Sequence, residues 1–125
     1  MRIAILVVRY TMGLLFLFAS ITYLLKLWPA PELTGDMKTF SAGLDASGYL
    51  MYLVKGIELL CGIAFVSGRY VTLATVLIAP ITVNILCVHL FLDQTGLLVA
   101  IFLVLGNLFL AYNHRENFES LFVAK

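Results

Sequence analysis

The chain is poor in charge, cysteine and proline. Only 12% of its 125 residues are charged, whereas 62% are hydrophobic, and the mean hydropathy is +1.04. Ordinary soluble domains carry about 25% charged residues, so a soluble fold could not hide this much apolar surface in so short a chain. The formal net charge of +1 and the lack of a lysine or arginine run argue against nucleic acid as a partner.

Motifs for self-contained catalysis are also missing. The sequence has no CxxC, HExxH, GxSxG, P-loop or dinucleotide-binding pattern, so we do not expect an autonomous enzyme. The two cysteines, Cys61 and Cys87, fall at different depths of apolar segments, which predicts small buried residues and no disulfide. One histidine, two cysteines and one carboxylate at membrane depth make no clear metal-ligand set, and no metal is expected.

Four long apolar segments dominate the chain. They cover residues 3–25, 49–67, 71–91 and 97–113. Each is near the roughly 20 residues that an α-helix needs to cross ~30 Å of hydrocarbon. The short loops after the second and third segments force antiparallel neighbours. The sequence therefore predicts an all-α membrane protein, with residues 1–125 forming a single domain folded as an antiparallel four-transmembrane-helix bundle.

The first apolar segment resembles a secretory signal peptide because Arg2 precedes it. Arg9 interrupts the apolar run, however, and the run continues beyond the length typical of a signal peptide. We therefore interpret it as an uncleaved first span. If the spans alternate, Arg2, Arg69, Arg115 and Lys125 share one side, and basic loops face the cytoplasm. This predicts a bacterial inner-membrane protein with both termini cytoplasmic.

Two segments outside the spans also carry helical patterns. Trp28-Pro29-Ala30-Pro31 should end the first helix, because proline has no amide donor and disfavours helix in the residue before it. Met37, Phe40 and Leu44 then recur at helical spacing after Asp36, a candidate N-cap. This pattern predicts a short amphipathic helix in the first outer loop.

The C-terminal segment, residues 113–125, is polar except for Phe118, Leu121 and Phe122. These three side chains would share one face of a helix lying at the membrane interface. A frayed tail is the alternative interpretation.

Polar residues inside the apolar segments are the candidate functional residues. They are Arg9, Lys55, Glu58, Asn84, His89 and Asn107. At 1.5 Å per residue, Glu58 and Asn107 lie about 14 and 15 Å below the outer edge, and Arg9 about 21 Å. Because a lone charge in hydrocarbon is costly, we expect Glu58 to pair with Arg9 and with Lys55, its neighbour one helical turn away. A purely structural role for these groups is the alternative.

A functional interpretation of the polar residues starts from Pro80, which can open or kink the third span. Asn84 follows one turn later, and His89 lies nearer the outer surface, one turn before Asp93. With Glu58, these groups would suit a lipophilic ligand with a polar head group, such as a quinone, or a proton path.

Five stretches along the chain form a recognisable pattern: Arg9 with Gly13-Leu14-Leu15-Phe16, Gly56-Ile57-Glu58-Leu59-Leu60-Cys61-Gly62, Ser67-Gly68-Arg69, Ala79-Pro80-Ile81-Thr82-Val83-Asn84 and His89-Leu90-Phe91-Leu92-Asp93. In their order and spacing they resemble the DoxX-like family of small membrane proteins. The family pattern has a glycine and then a lysine late in the first span, where this chain has Ser20 and Tyr23.

The resemblance implies a four-helix fold with Arg9 and Glu58 facing inward. It also implies a link to redox chemistry, because family members include the small subunit of a thiosulfate:quinone oxidoreductase and membrane partners in thiol and oxidative-stress systems.

Our leading hypothesis is a membrane subunit or accessory protein in quinone-linked or oxidative-stress redox chemistry. Its ligand would be a quinone facing Arg9, Glu58, Asn84 and His89. One alternative is a non-catalytic scaffold or assembly factor, and another is a transporter of a small molecule or ion. The expected partners are the lipid bilayer and either a second copy of the chain or a redox protein.

Overall fold

The computed structural model describes residues 2–27, 29 and 32–124. The expectations placed on Trp28, Ala30, Pro31 and Lys125 lie outside these residues. The described residues form five α-helices: α1 (Arg2–Leu24), α2 (Gly35–Ala46), α3 (Leu50–Ser67), α4 (Val71–Phe91) and α5 (Leu97–Asn113). A 3₁₀ turn, Gln94–Gly96, precedes α5, and a 3₁₀ helix, Arg115–Phe122, follows it. This part of the chain contains no β-strand.

Helices α1, α3, α4 and α5 are long and apolar enough to cross a membrane. Their segments have mean hydropathies between 1.7 and 2.3. They begin and end within one residue of the apolar segments seen in the sequence. The predicted all-α membrane bundle is confirmed.

The four long helices form a ring. Helix α1 packs most extensively on α3, and α4 on α5, while contacts between α3 and α4 and between α1 and α5 complete the ring. The chain direction alternates, because short connections join consecutive helices α3, α4 and α5. Phe16, Phe65, Ile78 and Leu110 are almost fully buried and fill the centre of the bundle.

Helices α1 and α3 touch backbone to backbone at Gly13 and Gly62. A Cβ atom added to Gly13 would lie 3.1 Å from the Gly62 carbonyl oxygen, and one added to Gly62 would lie 3.1 Å from the Gly13 carbonyl oxygen. Lipid gives helices no hydrophobic reason to associate, so close packing at small residues holds them together. Both glycines are buried, as is Ser20 two turns from Gly13.

The amphipathic segments outside the spans differ in detail from expectation. In α2, Met37, Phe40 and Leu44 are half-buried on one face, as predicted. The N-cap position is occupied by Thr34, so Asp36 falls in the first turn instead of capping the helix.

The C-terminal helix is of the 3₁₀ type and not an α-helix. The Asn117 N–H donates to the His114 carbonyl three residues earlier, at 2.9 Å. Phe118 is half-buried, whereas Leu121 and Phe122 are exposed on the bundle surface, where they are available to lipid.

We expect Gly62→Ala to destabilise the bundle by about 1–3 kcal/mol, because the new methyl group must push α1 and α3 apart. Thermal unfolding in detergent measures the change. Gly56→Ala, on the same helix, is the matched control, since a Cβ atom there meets nothing within 4 Å. Equal melting temperatures for the two variants would contradict the tight crossing.

Candidate functional site

A buried ion pair lies on the inner face of α3. Glu58 is 3% exposed and belongs to the stripe of buried residues that continues with Cys61, Gly62 and Phe65. Lys55 Nζ lies 3.0 Å from Glu58 Oε2, one helical turn away. The pairing expected between these two residues is present. It compensates a carboxylate that would otherwise be isolated in an apolar interior.

Two tyrosines extend this pair toward α1. Lys55 Nζ lies 5.7 Å from the centre of the Tyr23 ring. The Tyr23 and Tyr52 rings meet edge to face, with their centres 6.1 Å apart. An ammonium near an aromatic face is attracted by the negative face of the ring. The Lys55 charge therefore contacts both helices of the α1–α3 pair.

The expected pair between Arg9 and Glu58 does not form. The Arg9 guanidinium lies beside Gly68, where an added Cβ atom would come within 3.0 Å of Nη1. Gly68 is ten residues beyond Glu58, which corresponds to about 15 Å along α3. A long arginine side chain extends toward the nearer polar end of a membrane helix, and for Arg9 that end is the one holding the N-terminus of α1.

Asn107 forms a second buried polar contact, between α4 and α5. Asn107 is 5% exposed. Its side-chain Nδ2 donates to the Thr75 carbonyl at 3.2 Å. Its Oδ1 accepts from the Thr82 hydroxyl at 3.0 Å. Thr75 and Thr82 lie on either side of Pro80 in α4. Proline has no N–H, so Pro80 cannot donate the usual helical hydrogen bond to the Val76 carbonyl. Asn107 thus connects the two halves of α4 across the proline.

Thr75 and Thr82, the partners of Asn107, are not among the candidate residues expected from the sequence. Their separation of seven residues, two helical turns, was the signal that both would reach one side chain on α5.

A groove of about 720 Å³ runs between α4 and α5 and reaches the C-terminal 3₁₀ helix. We call it the α4–α5 groove. Its polar lining includes Asn107, Thr75 and Thr82, all of which are buried. The remaining lining is mainly apolar and comes from α4, α5 and the 3₁₀ helix, including Val83, Val104, Leu108, Ala111, Phe118 and Phe122. The groove therefore combines polar groups with an apolar wall.

His89 stabilises the corner between α4 and α5. Its Nδ1 lies 2.8 Å from the Asp93 carbonyl oxygen, which can only accept, so Nδ1 carries the proton. The ring packs against Gly96, where a Cβ atom would come within 2.6 Å of Cε1. Beside it, the Thr95 hydroxyl and N–H donate to Asp93 Oδ1 and hold the pKa of Asp93 below its usual range.

Asn84 and Cys87 lie on the outer surface of α4. Both are exposed, and Asn84 makes no hydrogen bond to any residue that the structure describes. Cys87 is free and exposed, so the expectation of a buried thiol is wrong for this residue. Cys61 is free and buried, and its Sγ lies 3.6 Å from the Ala74 carbonyl oxygen.

The six candidate residues are therefore not one constellation. Lys55 and Glu58 form a pair on α3, and Asn107 lines the α4–α5 groove. Arg9 and His89 lie toward opposite ends of the bundle, and Asn84 faces outward. In the part of the chain with described positions, no three histidine, cysteine, aspartate or glutamate side chains are grouped as metal ligands.

We expect Lys55→Met to destabilise the protein by about 3–5 kcal/mol, because it leaves the Glu58 carboxylate buried without a partner. The double variant Lys55→Met/Glu58→Gln should recover most of that loss, as measured by thermal unfolding in detergent. Lys38→Met, which changes an exposed lysine of α2, is the control.

A second double-mutant cycle, on Arg9 and Glu58, tests the position of Arg9. The effects of Arg9→Gln and Glu58→Gln should add, because residues about 15 Å apart with no shared partner are independent. Strong coupling between these two substitutions would contradict the separation of Arg9 from Glu58.

Comparison with known proteins gives one match. The DoxX family model matches residues 4–90, which include α2, α3 and most of α1 and α4. No curated protein and no solved structure matches the chain. Because the match covers more than half of the sequence and the fold is a bundle of four membrane-length helices, this multi-pass membrane protein belongs to the DoxX family.

Proposed function

We propose that this protein is a bacterial inner-membrane subunit or accessory protein in quinone-linked or oxidative-stress redox chemistry. It would bind a lipophilic ligand with a polar head group, such as a quinone, in the α4–α5 groove. The observation that carries the proposal is the buried amide of Asn107 at a groove whose other lining is mostly apolar.

The groove has the size and chemistry for such a ligand. Its volume of about 720 Å³ falls within the range of small-molecule sites, which are mostly apolar with a few fixed polar groups. An asparagine amide has two N–H donors, and the contact with Thr75 uses one of them. The second N–H remains for a carbonyl oxygen of the head group, while Val104 and Leu108 would contact the apolar part.

The proposed ligand set differs from the one expected from the sequence. Of Arg9, Lys55, Glu58, Asn84, His89 and Asn107, only Asn107 lines the α4–α5 groove. The Lys55–Glu58 pair on α3 is assigned a structural role, because each charge already has its partner within one helix.

Basic residues support a cytoplasmic location for both termini. Arg2, Arg69 and Arg115 lie at the end of the bundle where α1 begins, α3 ends and α5 ends. The opposite end carries acidic residues, among them Asp45 and Asp93. Basic residues in short loops mark the cytoplasmic side, which gives the proposed orientation.

The exposed amide of Asn84 favours the scaffold function as a second candidate. A polar side chain facing lipid gains a hydrogen bond when another membrane protein covers it. Loss of a co-purifying membrane partner in Asn84→Leu, with the bundle still folded, would support this role. Transport has no comparable support, because Phe16, Phe65 and Ile78 fill the centre of the bundle.

We expect saturable binding when a short-chain quinone is titrated into the purified protein, with fluorescence or calorimetry as the measurement. Asn107→Leu should weaken binding roughly 3- to 10-fold, the effect of losing one hydrogen bond. Ala111→Phe should also weaken it, because the ring occupies groove volume without removing the Asn107 contacts.

Asn84→Leu is the matched control, since it removes an asparagine of α4 that does not line the groove. Unsaturable partitioning of the quinone, or equal binding by wild type, Asn107→Leu and Ala111→Phe, would reject the proposed site.

A further inference from the structure

A second cavity lies at the end of the bundle where α1 begins and α5 ends. Its volume is about 620 Å³. One part of its lining is polar and includes Arg9, Thr72, His114 and Asn117, and another part is apolar and includes Leu73 and Leu121. We call it the Arg9 cavity. It shares with the α4–α5 groove only the side chains of Val76 and Leu121.

Arg9 brings an uncompensated positive charge to this cavity. Its Nε is buried and has no hydrogen-bond partner in the part of the chain that the structure describes. The guanidinium contacts Gly68 and lies 4.9 Å from the centre of the Tyr10 ring, and it forms no ion pair with a carboxylate among the described residues. No aspartate or glutamate lines the cavity. A guanidinium with free donors and no acidic partner matches a planar or tetrahedral oxyanion.

The start of α4 adds further donors to the same cavity. Val71, Thr72 and Leu73 are its first three residues, and the first amide bonded back to the preceding turn is that of Ala74, which donates to Tyr70. No side chain caps this helix, and Tyr70 has a left-handed backbone with φ of 58°. Amides at a helix N-terminus attract anions, so they reinforce the charge of Arg9.

The Thr72 hydroxyl, which also lines the cavity, is held in place by a hydrogen bond. The Asn117 side chain donates to Thr72 Oγ1 at 2.9 Å. The hydroxyl oxygen therefore acts as an acceptor in that contact, and its own hydrogen is available to a ligand. Asn117 also connects the C-terminal 3₁₀ helix to α4 beside the cavity.

We propose that the Arg9 cavity binds the phosphate of an anionic phospholipid. The cavity lies at a bundle end, where head groups meet a membrane protein, and its exposed side chains Leu73 and Leu121 can contact acyl chains. A free phosphate would leave those apolar side chains uncovered. Since no carboxylate among the described residues lines the cavity, the ammonium of a zwitterionic head group would find no partner among them, which favours a phospholipid with net negative charge.

The test uses the full-length protein, stripped of lipid in a neutral detergent. Thermal unfolding is followed while phosphatidylglycerol, phosphatidylcholine or inorganic phosphate is added. We expect phosphatidylglycerol to raise the melting temperature at lower concentration than the other two, since binding to the folded state stabilises it.

Substitutions then locate the site. Arg9→Gln should raise the phosphatidylglycerol concentration for half-maximal stabilisation roughly tenfold, the loss expected for charge-assisted hydrogen bonds. Arg9→Lys keeps the charge but removes Nε and the two-pronged geometry, and it should show an intermediate shift. Arg2→Gln, an exposed arginine on the same helix, is the control and should change the midpoint less than about twofold.

Three results would overturn the proposal. Equal stabilisation by phosphatidylcholine would remove the need for an anionic head group, and equal shifts in Arg9→Gln and Arg2→Gln would indicate general surface charge. Inorganic phosphate acting at the same concentration as phosphatidylglycerol would assign the cavity to a soluble anion. If Arg9→Gln does not fold, the Arg9→Lys comparison with Arg2→Gln decides between the same outcomes.

Discussion

The backbone contact between Gly13 and Gly62 sets the spacing of α1 and α3, the two helices that carry Arg9, Lys55 and Glu58. At this spacing the Tyr23 ring of α1 comes near the Lys55 ammonium of α3, and the Arg9 guanidinium comes against Gly68. A larger residue at the crossing would separate the helices that surround these charges. The most extensive helix pair in the bundle and the positions of its buried charges thus depend on two residues without side chains.

Polar groups at membrane depth are satisfied in different ways. Glu58 has a partner one turn away on its own helix, and Asn107 has two partners on the adjacent helix. Arg9 has no such partner within residues 2–27, 29 and 32–124, and its guanidinium lies at a bundle end. The Glu58 charge is thus compensated by an ion pair although its Oε2 accepts no hydrogen bond from the described residues, whereas buried Arg9 Nε lacks a hydrogen bond and the Arg9 charge lacks an ion pair. Because Arg9 and Asn107 line different cavities, the proposed anion site and the proposed quinone site are separate.

The fold followed from hydropathy and segment length, because the bilayer sets the length of a spanning helix and requires its backbone groups to bond internally. The site was harder to predict. The depth of each residue in the membrane, at 1.5 Å per residue, placed Glu58 within reach of the long Arg9 side chain. It gave no information about which way that side chain extends or which face of α4 carries Asn84. Rotation of a helix about its axis depends on packing with its neighbours, and the almost uniformly apolar sequence of α4 gives little indication of it.

The pairing of Asn107 with Thr75 and Thr82 has a consequence for biogenesis. The amide finds its partners on the helix immediately before it in the chain, across a short 3₁₀ turn. Helices α4 and α5 can therefore enter the bilayer together as a hairpin with the amide already matched, and α3 enters with Glu58 already neutralised by Lys55. Glu58 and Asn107 can then enter the bilayer in compensated form, which lowers the barrier to insertion of a sequence with polar residues in all four of its spans.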